Sequence, residues 1–424
     1  MSISSSTAPS PHVSGGLHSL LRKALGVMFG MSLVNAGNYA NNIIFGRYLE
    51  SDALGDVVLA TTCLLVIGAI SVAIQSATAR GVAGAGGGHG VEEQAIVRSA
   101  KQFSYVAGGA LFLLLVPFAA PLARTFRVSS LELFWWLGAL APLLLVLGVQ
   151  RGVLQGRDRT LRLTGTFQAE MGVRLLVSWL ALALGFGLRG VCAALLLSVL
   201  ASLVAAREAR ARPRIAAAPT ASAAWLTRMM APALVAQLSV IVFTQVDVIL
   251  VKARATPEQA GIFAVVVLIG RIITFTTQAV STPLLPAIVA RARRRERAGD
   301  LLAGALGVVA AVGMPLVAAA VFAPRVVIST LFGAQHLAAA PFLGGYAIAM
   351  FIHAVACILT DYAFCHGVSR VNYAAALLGA VKLLAGIAFI SDLHSAVLVN
   401  LASSTALLAL VVTVWLSYRG VENQ

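Results

Sequence analysis

Residues 301–323 read LLAGALGVVAAVGMPLVAAAVFA, an apolar run with no charged or amide side chain. A helix needs about 20 such residues to cross the hydrocarbon core of a bilayer. Working outward, comparable runs fall at about 24–45, 57–78, 99–123, 132–151, 163–184, 189–206, 229–251, 260–283, 339–364, 371–390 and 394–417. Backbone groups in lipid must bond within their own segment, and a barrel would show short alternating segments instead, so the runs are helices. The sequence predicts an all-α, polytopic membrane protein with twelve transmembrane helices. Its composition agrees: 59% of residues are hydrophobic and 11% are charged.

The net charge of +15 invites a nucleic-acid reading, and the distribution of charge excludes it. With an even number of spans, both termini share one side. Twenty-one lysines and arginines fall on that side, against seven on the other, with three more inside spans. This is the positive-inside pattern, so both termini are expected in the cytoplasm. The cluster Arg291–Arg297 reads as a topological anchor contacting anionic membrane lipids. Residues 1–20 are Ser/Pro-rich, with no charged-then-apolar signal peptide, and read as a disordered cytoplasmic terminus. Cys63, Cys192, Cys357 and Cys365 lie in or at the ends of spans and show no metal-ligand spacing. No cofactor is called for. The glycine-rich loop Gly84–Gly90 lacks the ending of a phosphate loop and reads as a hinge.

The chain divides at its midpoint. Helices one to six occupy 21–206, an Arg/Ala/Pro-rich cytoplasmic linker spans 207–228, and helices seven to twelve with a short tail occupy 229–424. The halves echo each other. Asn41-Asn42-Ile43-Ile44 and Gly55-Asp56-Val57-Val58 align with Asp247-Val248-Ile249-Leu250 and Gly261-Ile262-Phe263-Ala264 at one constant offset. Six helices per half keep the orientation, so the repeat is parallel, the architecture of two lobes rocking about a central site.

Three bases, Arg174, Arg271 and Lys382, are stranded in the spans. A cation at bilayer depth costs about 2.5–3.5 kcal/mol on insertion scales and is a functional hypothesis by default. Glu170, one turn before Arg174, offers it a mate, and a self-neutralised structural pair is one reading. Arg271 and Lys382 have no acid nearby on their own helices. They contact an anion or pair with Asp247 or Asp361 across helices. Gln278 shares a face with Arg271. Asn35, Asn38 and Asn42 recur at i, i+3, i+7 on the first helix, lining a cavity or bonding a neighbouring helix. Asp247 reads either as a Na⁺ or proton site or as a partner of Lys252 or Arg254. His353 could titrate or be simply hydrogen-bonded. Prolines 117, 142, 232, 283, 286 and 315 suggest kinks or breaks.

The stretch Gln245–Leu250, Ala260–Ala264 and Ser281–Pro286 resembles the seventh and eighth helices of polysaccharide flippases. These are the Wzx-type members of the multidrug/oligosaccharidyl-lipid/polysaccharide (MOP) exporter superfamily. Phe45-Gly46-Arg47-Tyr48-Leu49 with Leu54-Gly55, and the turn Gly367–Arg370, fit the same pattern. The resemblance implies a transporter of the inner membrane, not an enzyme. It would move undecaprenyl-pyrophosphate-linked oligosaccharide repeat units outward for surface polysaccharide, using an ion gradient, in the company of a polysaccharide polymerase complex. Arg271, Lys382 and Arg174, with Asn35, Asn38, Asn42 and Gln278, would hold the substrate. Asp247 and Asp361 would couple to Na⁺ or H⁺. A multidrug exporter or a lipid II flippase of the same superfamily is the alternative. A membrane-embedded enzyme is disfavoured by external loops of only about ten residues.

Overall fold

A computed structural model of the chain describes residues 12–85, 91–207, 223–274, 299–365 and 370–422. Among these residues there is no strand. The elements are α1 (His12–Tyr48), α2 (Ser51–Gly84), α3 (Val91–Leu115), α4 (Ala119–Thr125), α5 (Glu132–Gly156), α6 (Thr160–Ala183) and α7 (Gly187–Ala206). They continue with α8 (Ala223–Arg254), α9 (Pro257–Thr274), α10 (Gly299–Phe322), α11 (Pro324–Leu331), a 3₁₀ segment (Ala334–Ala339), α12 (Ala340–Cys365), α13 (Arg370–Phe389) and α14 (Leu393–Glu422).

The twelve long helices coincide with the twelve expected spans, and α4 and α11 are short additions. Eight of the twelve are long and apolar enough to cross a membrane unaided, and the bent pair α3–α4 makes a ninth. The remaining three, α1, α6 and α13, are the helices that carry the asparagines, the Glu170–Arg174 turn and Lys382. In α1 and α6 the apolar signal is diluted by polar groups, whereas α13 is apolar but short over Tyr373–Phe389.

Two expectations need correction. The segment read as disordered over 1–20 is helical from His12, since hydropathy reports only the lipid-embedded part of a helix and not its polar extension. Prolines also differ in effect. Pro117 sits in the 64° bend between α3 and α4, where its missing N–H and ring break the helix. Pro142, Pro232 and Pro315 lie inside continuous helices. Gly108 packs so tightly on Pro142 that a Cβ there would come within 2.6 Å of the proline Cα. Pro283, Pro286, Gln278, the cluster Arg291–Arg297, most of the glycine-rich loop and most of the inter-lobe linker lie outside the described residues.

Helices α1–α7 pack mainly on one another, α2 against α5, α3 against α5, and α6 against α1 and α7. Helices α10 and α12–α14 pack likewise, with α8 joining them through α13 and α14. The two groups meet chiefly along α2 and α8 and in one shared apolar core. That core includes Phe45, Leu54 and Val57 from the first group and Phe263, Phe332 and Tyr346 from the second.

The internal repeat is visible where the halves touch. Gly55 and Gly261, equivalent by the sequence offset, face each other. A Cβ on Gly55 would lie 3.2 Å from the Gly261 nitrogen, and one on Gly261 would lie 2.0 Å from the Ser51 carbonyl oxygen. Only glycine permits so close an approach of two backbones.

Candidate functional site

Between the two helix groups lies a cavity of 410 Å³. Its walls come from α1, α2, α5 and α6 on one side and α8, α9 and α12 on the other. Among the described residues, the charged side chains lining it are Arg151, Arg174, Arg271 and Glu170, a formal excess of two positive charges. Around them stand Asn38, Asn41, Asn42, Gln75, Gln237, Gln245 and threonine hydroxyls.

On the first wall, Arg151 of α5 is the main mate of Glu170. Its Nη2 lies 2.7 Å from Glu170 Oε2 and donates to Ser202 Oγ at 3.0 Å, while Nε donates to Thr166 Oγ1 at 3.0 Å. Its guanidinium stacks 3.7 Å from the centre of the Phe167 ring. Arg174 reaches Glu170 only at 4.0 Å. The expected local pair is therefore secondary: a neighbour on the next helix outcompetes the residue one turn away, because its fork meets the carboxylate directly. Arg174 donates instead to Asn38 Oδ1 and to Met171 Sδ at 3.3 Å.

On the opposite wall, Arg271 of α9 has no carboxylate partner among the described residues. Its Nη2 donates to Gln245 Oε1 at 2.5 Å and to Thr62 Oγ1 at 3.1 Å, and its Nη1 to Thr61 Oγ1 at 3.4 Å. Thr62 itself donates to Gln245 at 3.1 Å. Thr61 and Thr62 belong to α2, so Arg271 ties the two helix groups across the cavity. The Nε atoms of both Arg174 and Arg271 are buried without an acceptor. A buried donor left unmade costs about 1–3 kcal/mol, more for a charged group. Cationic groups thus face each other across the cavity, Arg151 and Arg174 from one wall and Arg271 from the other.

The predicted residues thus divide. Arg174, Arg271, Asn38 and Asn42 line the cavity; Asn35, one turn away along α1, does not, and Asn41 takes its place. Arg151 stands at the end of its apolar run in the sequence, yet α5 continues to Gly156 and carries it into the wall. One signal could have found it. An antiparallel register about the Gly156–Arg159 turn sets residue 151 opposite residue 166, next to Glu170.

Lys382 and Asp247 lie outside the cavity, in one buried cluster. Lys382 donates to the Phe243 carbonyl and to Asn400 Oδ1 at 2.7 Å; Asn400 Nδ2 donates to Asp247 Oδ2 at 2.8 Å. The cross-helix link between Lys382 and Asp247 is therefore made through an amide. Neither proposed mate of Asp247 is taken up. Lys252 pairs with Asp56 of α2, and Arg254 donates to the carbonyls of Ile387 and Ile390 at the end of α13. Asp361 does not line the cavity either. His353 stacks on Phe243, centroids 5.4 Å apart, with Nε2 3.4 Å from Cys357 Sγ, the bland reading of that residue.

One face of the cavity is sealed by contacts between the two groups, at the α1–α2 turn. The Lys252–Asp56 ion pair, at 2.6 Å, has both side chains at most 2% exposed. Asp56 Oδ2 also accepts from Ser129 N at 2.9 Å and Ser129 Oγ at 2.6 Å. Arg47 donates to the carbonyls of Thr330 and Leu331, Arg127 to that of Ala255, and the His336 ring lies 2.9 Å from the Gly46 carbonyl.

A family profile described as "Polysaccharide biosynthesis protein" matches residues 89–341, more than half of the sequence. The chain belongs to this family. Its fold is that of the MOP-superfamily transporters. An inward-facing multidrug resistance MATE transporter of that superfamily is similar at a TM-score of 0.74 and 15% identity, covering 92% of this chain and 97% of the other. The lipid II flippase MurJ, in an inward closed conformation, is similar at 0.71 and 12% identity, covering 93% and 87%. A MOP-superfamily transporter from Pyrococcus furiosus, described as having a binding pocket of reverse polarity, is similar at 0.59 and 18%, covering 93% and 94%. No curated protein sequence matches. The protein is a multi-pass membrane member of this family.

Proposed function

We propose that this protein is a flippase that carries a polyprenyl-pyrophosphate-linked oligosaccharide from the cytoplasmic to the outer leaflet of the inner membrane, for surface polysaccharide. The observation that carries the reading is the cavity lining: among the described residues, three arginines against one glutamate. A pyrophosphate is costly to desolvate, and arginine forks offset that cost with bidentate, charge-assisted hydrogen bonds. Arg174 and Arg151 grip from one lobe and Arg271 from the other. Asn38, Asn41, Asn42 and the glutamines serve the first sugars. Lys382, Asp247 and Asp361 are no part of this grip. A cavity with excess positive charge disfavours small cationic drugs.

Lipid II presents a pyrophosphate as well, and the likeness to MurJ makes lipid II the second substrate to test. Purified protein is titrated with farnesyl pyrophosphate, farnesyl monophosphate and farnesol. Binding in that order, lost in Arg271→Ala, supports the reading; equal binding of farnesol and the pyrophosphate sinks it. Complementation of a strain lacking its lipid II flippase, against one lacking its repeat-unit flippase, then separates the two cargoes.

A further inference from the structure

The second polar cluster serves no purpose in gripping an anion. Lys382 of α13 is 1% exposed and Asp247 of α8 and Asn400 of α14 are fully buried. Each of the three sits on a different helix, and the cluster is where these helices join. The ammonium of Lys382 is met by a main-chain carbonyl (Phe243) and an amide oxygen (Asn400), with the Phe243 ring 5.5 Å away. Behind the amide stands the buried Asp247 carboxylate, whose Oδ2 accepts from Asn400, with the Tyr346 hydroxyl also beside the carboxylate.

Carbonyl, amide and carboxylate oxygens are the hard donors that proteins use for hard metal cations. Here they surround a cation that is part of the chain. The buried carboxylate requires a positive charge nearby, since an unpaired one is strongly destabilising. Lys382 supplies that charge but does not touch it: Asn400 stands between, its oxygen toward the ammonium and its nitrogen toward the carboxylate.

We propose that Lys382 is a tethered cation. Its ammonium fills, at the α8–α13–α14 junction, the place of a monovalent metal ion such as Na⁺, and the protein takes no Na⁺ there. Removing the ammonium leaves the Phe243 carbonyl and the Asn400 oxygen facing one vacancy, with the Asp247 carboxylate behind the amide as the negative charge, a setting that Na⁺ can occupy. The inference is independent of the anion reading, because none of its residues lines the cavity.

The test uses the purified full-length protein and needs no substrate. Thermal unfolding is followed by tryptophan fluorescence in NaCl, KCl and choline chloride at constant ionic strength. Wild type is expected to melt at one temperature in all three salts. Lys382→Ala is expected to melt lower in choline and to rise with Na⁺ along a saturating curve, by about 3–5 °C at a hundredfold excess over Kd. Lys382→Ala combined with Asp247→Asn is expected to melt low and ignore Na⁺. Recovery of Lys382→Ala only from Na⁺-containing buffer also supports the proposal. A saturable, Na⁺-specific rise in wild type overturns it, as does a Lys382→Ala protein insensitive to alkali cations or recoverable from no buffer.

Discussion

Lys252→Met tests the seal at the α1–α2 turn. The substitution keeps the length and apolar stem of the lysine but removes the partner of Asp56, whose carboxylate is 1% exposed. Breaking a buried pair from one side costs about 3–5 kcal/mol, because the remaining charge is stranded. The pair joins α2 to α8, so the cost falls on the sealed state alone; when the lobes part, water reaches Asp56. Divided by about 1.4 kcal/mol per decade, the penalty shifts the sealed-to-open ratio by two to nearly four orders of magnitude.

Asp56→Asn in the Lys252→Met background removes the stranded charge while leaving an oxygen for the Ser129 donors, so most of the shift reverses. Exchanging the charges, Asp56→Lys with Lys252→Asp, fails, because Ser129 N–H and O–H would then point at an ammonium. The assay is labelling of Ala260→Cys by a membrane-impermeant maleimide, in a background without the native cysteines. Labelling of Lys252→Met at the wild-type rate would show that the pair does not hold the seal. Equal labelling of the single and double variants would show that charge is not the cause.

Three further outcomes follow from the geometry. Gly261→Ala places a methyl group 2.0 Å from the Ser51 carbonyl; it should prop the seal open, read as the same maleimide labelling, without changing farnesyl pyrophosphate binding. Glu170→Gln removes the only acid of the cavity wall among the described residues; anion affinity should rise about tenfold by isothermal titration, from one extra unit charge at partly screened distance, while the melting temperature falls as Arg151 loses its mate. At the start of α14, the Ser395 backbone N–H first, then its side chain, hold the Asp392 carboxyl below the usual carboxylate range. A depressed folded pKa gives stability above the unfolded value near 3.9, lost as pH falls through the folded one. The difference in melting temperature between wild type and Asp392→Ala should therefore be constant near neutral pH and shrink below about pH 4.

How legible the site was depended on the residue. Arg174 and Arg271 stand out in sequence because the cost of a cation at bilayer depth needs no knowledge of neighbours. Arg151 escaped because it ends its apolar run, where a loop base and a buried base look alike; only the continuation of α5 and the packing of α6 against it place the guanidinium on Glu170. Lys382 looked like Arg271 in sequence and proved different, since the direction a side chain takes from its helix is a property of the packed bundle. Asn35, Asn38 and Asn42 share a helical face, yet the cavity takes Asn38, Asn41 and Asn42, because the lining stripe of α1 runs through Val34, Asn38, Asn41, Asn42 and Phe45 and Asn35 sits beside it.

The sequence by itself determined the twelve helices, the membrane setting and the two-fold repeat. Each is written in local terms, as apolar runs or as equal spacing of short motifs, and lipid leaves the backbone no other choice. Only the tertiary structure decided the pairings: Asp56 with Lys252, Arg151 with Glu170, Lys382 with Asn400 and Asp247, and Arg271 with the threonines of the opposite lobe. Apart from Arg151 with Glu170 and Lys382 with Asn400, these partners are distant in the chain and lie on helices that are not consecutive. An apolar bundle will bury a charge only where an oxygen or a nitrogen from another helix arrives to meet it, and that arrival is set by how the helices cross.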